Sequence, residues 1–340
     1  MKSVLIFGAA GFIGTYLIDE LHRQGYDVVA SDISLNSEVY FSSLDIEYVS
    51  LDITDKDAFE RLENRRFDAV INLASTQPAN VSDKAYDPRS YIRVNVTGTL
   101  NILDYCLASG SGKFILATSH RNTQGMWHEK EVITETDGRS IKYTGQYSMF
   151  SISETAAQDC VLHYQEEYGL KSVIFRLPPV YGYGPHTEIF HNGKPIKTGF
   201  QIFIDKARAC EPLETWGDET KGRDIVYVKD VIDAFVCGIT NDDARGLYNI
   251  SSGYKLTLRE EAEIIADLFW GNDECPVIVN IPDKANNIDE FVYDISKAGK
   301  ELGWFPKYSF RDMLIDIARE GQDERFHFLL DKRKKMFEED

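Results

Sequence analysis

Positive charge is what this 340-residue chain is short of: 37 lysines and arginines face 55 aspartates and glutamates, for a formal net charge of −18. Such a chain repels polyanions. No nucleic-acid partner and no anionic membrane surface is expected. Cysteine is also scarce. Cys106, Cys160, Cys210, Cys237 and Cys275 are scattered, without metal-ligand or redox spacing. They are expected to be reduced thiols, with no metal site. No apolar run approaches the ~20 residues of a membrane-crossing helix. The first strand pattern begins within three residues of the start, leaving no room for a signal peptide. A cytoplasmic protein is therefore expected. Hydrophobic residues make up 43% of the chain, enough for a large core in two lobes.

What is present organises itself around residues 8–14. Val4, Leu5, Ile6 and Phe7 read as a buried parallel strand. Gly8-Ala9-Ala10-Gly11-Phe12-Ile13-Gly14 follows, opening a run to residue 24 in which Ile13, Leu17, Ile18 and Leu21 recur at helical spacing. Strand, glycine turn and helix are the context of a dinucleotide fingerprint. Gly8 allows the tight turn, Gly11 admits a pyrophosphate to the backbone, and Gly14 lets helix pack on strand. The helix N-terminus offers free N–H groups and a positive dipole end. Asp32 ends the next strand, where an acid accepts hydrogen bonds from ribose hydroxyls and repels a 2′-phosphate. NAD is thus favoured over NADP.

Strand and helix patterns then alternate. A third strand at 46–51 closes with Asp52-Ile53-Thr54-Asp55, and Thr54 or Asp55 can cap a helix at 56–63. A fourth strand at 68–73 runs into Ala74-Ser75, small residues that suit a backbone passing close to a ligand. A long helix is expected over 88–109. Asn95 lies inside it, a poor helix former placed to bond backbone or cofactor, or simply solvated. The strand 114–118 ends at Ser119, where ligands gather in open α/β sheets. The fold class is α/β, a doubly wound parallel sheet.

Together with later segments, these residues resemble the extended short-chain dehydrogenase/reductase family, in its NAD-dependent nucleotide-sugar epimerase/dehydratase branch. The segments are 8–14, Asp32, Asp52-Ile53, Asn72-Leu73-Ala74, 95–101, 175–182, 222–230, 248–253 and 294–306. The resemblance implies a Rossmann domain over 1–178, with 222–240 returning to it. A smaller C-terminal α/β substrate lobe would span 179–320, and 321–340 would be a charged extension. It places NAD at Phe12, Ile13, Asp32, Asp52, Ile53, Leu73 and Asn95. It places a nucleotide sugar near Pro179, His186, Arg223 and 197–208, with Arg223 facing the diphosphate as a planar fork. The alternative for Arg223 is a surface salt bridge with Asp224 or Asp230.

The family's chemistry uses a Ser or Thr, a Tyr, and a Lys four residues after the Tyr. The Lys cation favours a tyrosinate, which takes the sugar hydroxyl proton while hydride moves to the nicotinamide. Ser119 matches the first position. Aligned without a gap from the helix end at 164–170, Phe150 stands at the Tyr position and Glu154 at the Lys position. A shifted register uses Tyr147 but turns the buried face by about 300°, and its fourth follower is Ser151. Neither register contains the Lys. The single Tyr with Lys four places on is Tyr293, with Lys297, in a segment assigned to the far lobe. Phe150 has no proton to exchange, and Glu154 reverses the local charge. Glu154 can still accept hydrogen bonds from a nicotinamide ribose, or act as general base if buried. The candidate proton carriers are Glu154, Tyr147, Tyr143 and His120, beside Ser119. His120-Arg121 replaces the acid pair of the family's dehydratases, which favours an epimerase-like reaction. Three readings stand: an NAD-dependent enzyme on a nucleotide sugar, a binding protein that has lost its chemistry, and an assembly partner that dimerises through helices 88–109 and 147–167. A homodimer is expected.

Overall fold

The computed structural model describes residues 2–33, 38–63, 65–82, 85–184, 187–270, 277–286, 288–321, 327–328 and 330–331. Its centre is a seven-stranded sheet. In chain order come β1 (Ser3–Phe7), β2 (Asp27–Asp32), β3 (Glu47–Ser50), β4 (Ala69–Asn72), β5 (Phe114–Ser119) and β6 (Ser172–Leu177), then the strand Gly246–Asn249. All neighbours pair in parallel. The spatial order is Gly246–Asn249, β6, β5, β4, β1, β2, β3. The winding direction therefore reverses between β1 and β4, and a crevice opens there at the carboxyl ends of the strands. The last strand lies inside the stretch assigned to the second lobe, so the sheet draws on more of the chain than residues 1–178.

Alternate side chains serve opposite faces, as strand geometry dictates. Val4 and Ile6 face one core with Ile71, Ile115 and Phe175. Leu5 and Phe7 face another with Val70, Phe114 and Ile174. Helix α1 (Phe12–Arg23) covers the first face, and the short α2 (Glu38–Ser43) follows β2. The second face is covered by α4 (Thr99–Ser109) and α5 (Ser148–Glu167), with the short α3 (Pro88–Tyr91) packed on α5. Beyond β6 come α6 (Gly199–Arg208), α7 (Val228–Thr240), α8 (Leu258–Phe269) and α9 (Phe310–Glu320). Helix α7 packs on α1, and the buried Lys113 ammonium donates to the Gly238 and Asn241 carbonyls at its end. Carbonyls that a helix terminus leaves unpaired are met in this way.

Three expectations need correction. The helix expected at 56–63 is a 3₁₀ segment, Asp57–Leu62. The long helix 88–109 is broken by a π-helical stretch, Ile92–Gly98, that contains Asn95. The cause is tertiary: Asn95 is tied sideways to Thr76 and Ser153, and the Ile53 side chain occupies the place a Cβ on Gly98 would take, 2.5 Å away. Third, Cys106, Cys160 and Cys237 are free thiols but Cys210 is disulfide-bonded. Scatter along a sequence says nothing about proximity in space. Cys275 lies outside the described residues, as do most of 321–340; Phe328 stacks on Tyr40 with ring centroids 4.1 Å apart.

Candidate functional site

The glycine turn sits in the crevice between β1 and β4. Gly8 has φ +77, and a Cβ there would lie 2.6 Å from Ala74 N and from the Leu73 carbonyl carbon. A Cβ on Gly14 would lie 2.4 Å from Gly8 O. Gly11 differs: its Cβ would meet only Gly8 O, at 3.1 Å. Two of the glycines therefore serve close backbone packing, and the third is less crowded, with only Gly8 O near its Cβ position. The Asp32 carboxylate accepts from Ala10 N at 3.0 Å, which fixes the end of β2 against the turn. A cavity of about 300 Å³ adjoins it, lined by Ile33, Ser50, Asp52, Asp55, Ala58 and Arg61. Ile53 is buried beneath Gly98. Phe12 packs its ring where Cβ atoms on Gly182 and Gly184 would otherwise stand, and Ile13 lies against the same core.

The deeper end of the crevice is polar and enclosed. Asn95 is 2% exposed; it donates to Ser153 Oγ at 2.9 Å and accepts from Thr76 N at 2.8 Å. Helix α5 runs unbroken from Ser148 to Glu167. Phe150 and Glu154 lie one turn apart and are both buried. The Glu154 carboxylate accepts from Ser75 Oγ at 2.9 Å and Thr118 Oγ1 at 3.3 Å, and from the Ser119 backbone N–H. Asn122 donates to Thr118 Oγ1 and Gln158 Oε1, extending the chain of bonds inward. Burial pushes the Glu154 carboxyl up to about 7, against the opposing pull of its three donors.

The other proton-carrier candidates fare differently. His120 is half-buried and held by its neighbours. Its ring stacks on Trp127 (centroids 5.3 Å, 10° between planes), and Nδ1 donates to Leu177 O at 3.0 Å. Burial, then the nearby Arg121 charge, hold it neutral, with a pKa well below the ordinary histidine value. Tyr143 is 74% exposed. Ser119 Oγ accepts from Arg121 N at 3.2 Å and so caps the turn after β5. Tyr147 stands at the start of α5 with the Arg121 guanidinium 3.5 Å above its ring. Tyr293 comes closer to this region than its sequence position implies: its hydroxyl is 2.7 Å from Thr123 Oγ1 and 3.1 Å from His120 O. Lys297 turns away to Leu247 O, so the pair does not form.

Comparison with known proteins decides the family. A profile of the NAD dependent epimerase/dehydratase family matches residues 4–251. The chain belongs to that family. A putative UDP-glucose 4-epimerase of Methanocaldococcus jannaschii is 27% identical over 309 residues, covering 91% of this chain and 95% of the relative. UDP-glucuronic acid decarboxylase 1 of Arabidopsis thaliana is 26% identical over 92% of this chain and 68% of its own length. The crystal structure of Thermus thermophilus UDP-glucose 4-epimerase in complex with NAD superposes with a TM-score of 0.74 and is 26% identical, covering 94% of this chain and 99% of that one.

The family's cofactor is NAD, and the crevice fits it on its own terms. It has a less crowded backbone at Gly11, an acid at the end of β2, and a cavity on the β3 side. On the opposite side, Arg223 donates to the Tyr181 hydroxyl at 3.2 Å. The salt-bridge alternative fails, because Asp224 is taken by Ser252 and Tyr293 N, and Asp230 by Lys307 N and Tyr308 N. Pro179 O accepts from Val226 N, joining this segment to the strand after β6. His186 lies outside the described residues. Sequence reasoning missed Ser75 and Thr118 as partners of Glu154, and it missed Arg121. A hydroxyl or a lone arginine carries no spacing signal.

Proposed function

We propose that this chain is an NAD-dependent enzyme on a nucleotide sugar, with Glu154 as an atypical proton carrier in epimerase-like chemistry. The observation that carries the reading is the Glu154 carboxyl: buried in the crevice, held by three donors, with its pKa pushed up to about 7. A group near half-protonation at neutral pH can both accept and release a proton. In this scheme Asp32 and the backbone at Gly11 hold the dinucleotide, with Gly8, Phe12, Ile13, Gly14, Asp52, Ile53, Leu73, Ala74, Asn95 and Phe150 around it. NAD, when bound, takes up hydride and returns it. Glu154 accepts the sugar hydroxyl proton, directly or through Ser75, and gives it back as hydride returns. Ser119 and Tyr147 border the sugar. Arg223 and Pro179 line the nucleotide-diphosphate side. Residues 1–178, joined by 222–240 and by the strand Gly246–Asn249, form the dinucleotide lobe, and the rest of 179–320 the substrate lobe, of a cytoplasmic homodimer.

The second reading is a protein that binds both ligands without chemistry. It is favoured by Phe150, which has no hydroxyl, and by the engagement of Glu154 with neighbouring donors. Purified protein with NAD and a panel of nucleotide sugars, ketosugars included, separates the two. Product formation, or a transient rise in reduced-nicotinamide absorbance, supports the first. Bound NAD with no hydride transfer to any sugar supports the second. Failure to bind NAD refutes both.

A further inference from the structure

Residues 188–197 form an antiparallel hairpin, with Glu188–His191 paired to Lys194–Lys197. Its two-residue turn is Asn192-Gly193, with φ +48 and +71, the left-handed pair that a tight hairpin turn requires. The two ends meet: Thr198 N donates to Thr187 O at 3.0 Å, and Thr198 Oγ1 accepts from Gln201 N to cap α6. The hairpin is thus a preformed piece joined to the second lobe at its base. Its far side rests on the other lobe. The strand Glu188–His191 packs on the 3₁₀ turn Pro78–Asn80, which follows β4. Asn192 N donates to Gln146 Oε1, just ahead of α5, and Gln146 Nε2 lies 3.4 Å from His191 Nδ1. These footholds flank the Glu154 carboxyl. Ser75, which donates to it, lies three residues before Pro78, and α5 carries it. The hairpin therefore spans the crevice at the end where chemistry is proposed.

Burial divides the hairpin into an anchor and a loose remainder. Phe190 is 2% exposed, yet it belongs to neither core that flanks the sheet. Glu188, His191 and all of Lys194–Lys197 are exposed. A two-stranded hairpin is marginal by itself. Exposed ladder bonds and one buried anchor put this one at the low-stability end of the structure. A sugar that reaches Glu154 lies beneath the hairpin, and a closed bridge admits none. We infer that the hairpin 188–197 is a lid, latched by Phe190, that swings from its base to admit the nucleotide sugar and closes to keep water from the Glu154 site.

This inference rests on the nucleotide-sugar reading, and the test separates the two. Because Thr198 N already bonds Thr187 O, residues 188–197 can be replaced by Gly-Gly in a tight turn without moving either end. A second variant, Phe190→Ala, removes the latch and keeps the chain length, which covers the case of an excised protein that folds poorly. Surface plasmon resonance on the NAD-loaded proteins gives association and dissociation rates for glucose carried on uridine diphosphate and on thymidine diphosphate. A lid that must open slows entry and exit alike, so both rates rise together in both variants, roughly tenfold or more. Phe190→Ala melts within about 2 °C of the wild type, since a lid opens without unfolding the rest. A rise in dissociation alone makes the hairpin a fixed wall and overturns the inference. Unchanged rates show that the hairpin does not cover the site, and overturn it too. So does a melting temperature lowered by several degrees in Phe190→Ala, the mark of a side chain in the cooperative core. Each of these leaves the function reading standing. No affinity of any of the three proteins for either nucleotide sugar overturns the function reading, and this one with it.

Discussion

Replacing Glu154 by glutamine removes one titration from the folded protein and leaves the side chain's shape alone. The carboxyl has a folded pKa of about 7 against a reference of 4.5, raised by burial. A raised carboxyl favours the protonated folded state. Its contribution to stability is complete below the unfolded pKa and is lost as pH rises through the folded one. The loss is about 3 kcal/mol, some 2.5 units at 1.36 kcal/mol each. Most of it falls between pH 5 and pH 8. Glu154 is only 6% exposed, so solvent screening takes little from this figure. The glutamine oxygen keeps the Ser119 N–H, and the hydroxyls of Ser75 and Thr118 can rotate to accept from its amide. Asp224 and Asp230, each raised to about 6 by burial, titrate in the same sense in both proteins and cancel in the difference. Urea unfolding of ligand-free wild type and Glu154→Gln at pH 5, 6, 7 and 8 gives the comparison. The variant gains on the wild type by about 2–3 kcal/mol over the range, mostly between pH 5 and pH 7. Parallel curves would mean that Glu154 ionises like an exposed carboxylate, and the proton-carrier proposal would lose its physical basis.

Gly14→Ala puts a methyl 2.4 Å from Gly8 O and forces the turn apart; thermal melts show a loss of about 1–3 kcal/mol. Gly11→Ala meets only one atom, at 3.1 Å, so it melts close to the wild type while its NAD affinity, by calorimetry, falls about tenfold or more. Asn95→Ala strips Thr76 N–H and Ser153 Oγ of a buried partner; chemical unfolding shows about 1–3 kcal/mol of destabilisation. Arg223→Met weakens nucleotide-sugar binding without changing NAD affinity, and an equal loss of both would place Arg223 in the structural frame.

How much of this was legible in the sequence depended on how local its cause was. The turn at 8–14 was readable because its causes lie within a few residues: apolar periodicity, and glycines where a Cβ would strike backbone. The π-helical break was not, since Asn95 is set by partners 19 and 58 residues away. His120 follows the same rule: Trp127 and Phe291 decide its direction, and nothing beside it in the sequence announces them. The resemblance exposed the missing lysine, yet the donors that receive Glu154 come from the ends of β4 and β5, brought together by a crossover. Arg121 follows the same rule: it lies over the Tyr147 ring, 26 residues on, and no spacing in the sequence announces that contact.

Glu154 and Phe150 are best understood as one change. A lysine at 154 would aim an ammonium at the Ser119 N–H, donor against donor, where a carboxylate finds that N–H and two hydroxyls ready to give hydrogen bonds. Once the carboxylate is there, a tyrosine one turn earlier is no longer useful as a base. At an effective dielectric near 20 and about 5 Å, an ionised Glu154 would oppose a tyrosinate by about 3 kcal/mol, where a lysine would have favoured it by as much. The tyrosine hydroxyl would stay protonated at neutral pH. Phenylalanine at 150 therefore loses nothing that the carboxylate had not already removed, and it keeps the apolar packing of the helix face. The enclosure that phenylalanine preserves is the same enclosure that raises the Glu154 carboxyl toward neutrality. In the proposed scheme the proton taken from the sugar hydroxyl passes through that carboxyl.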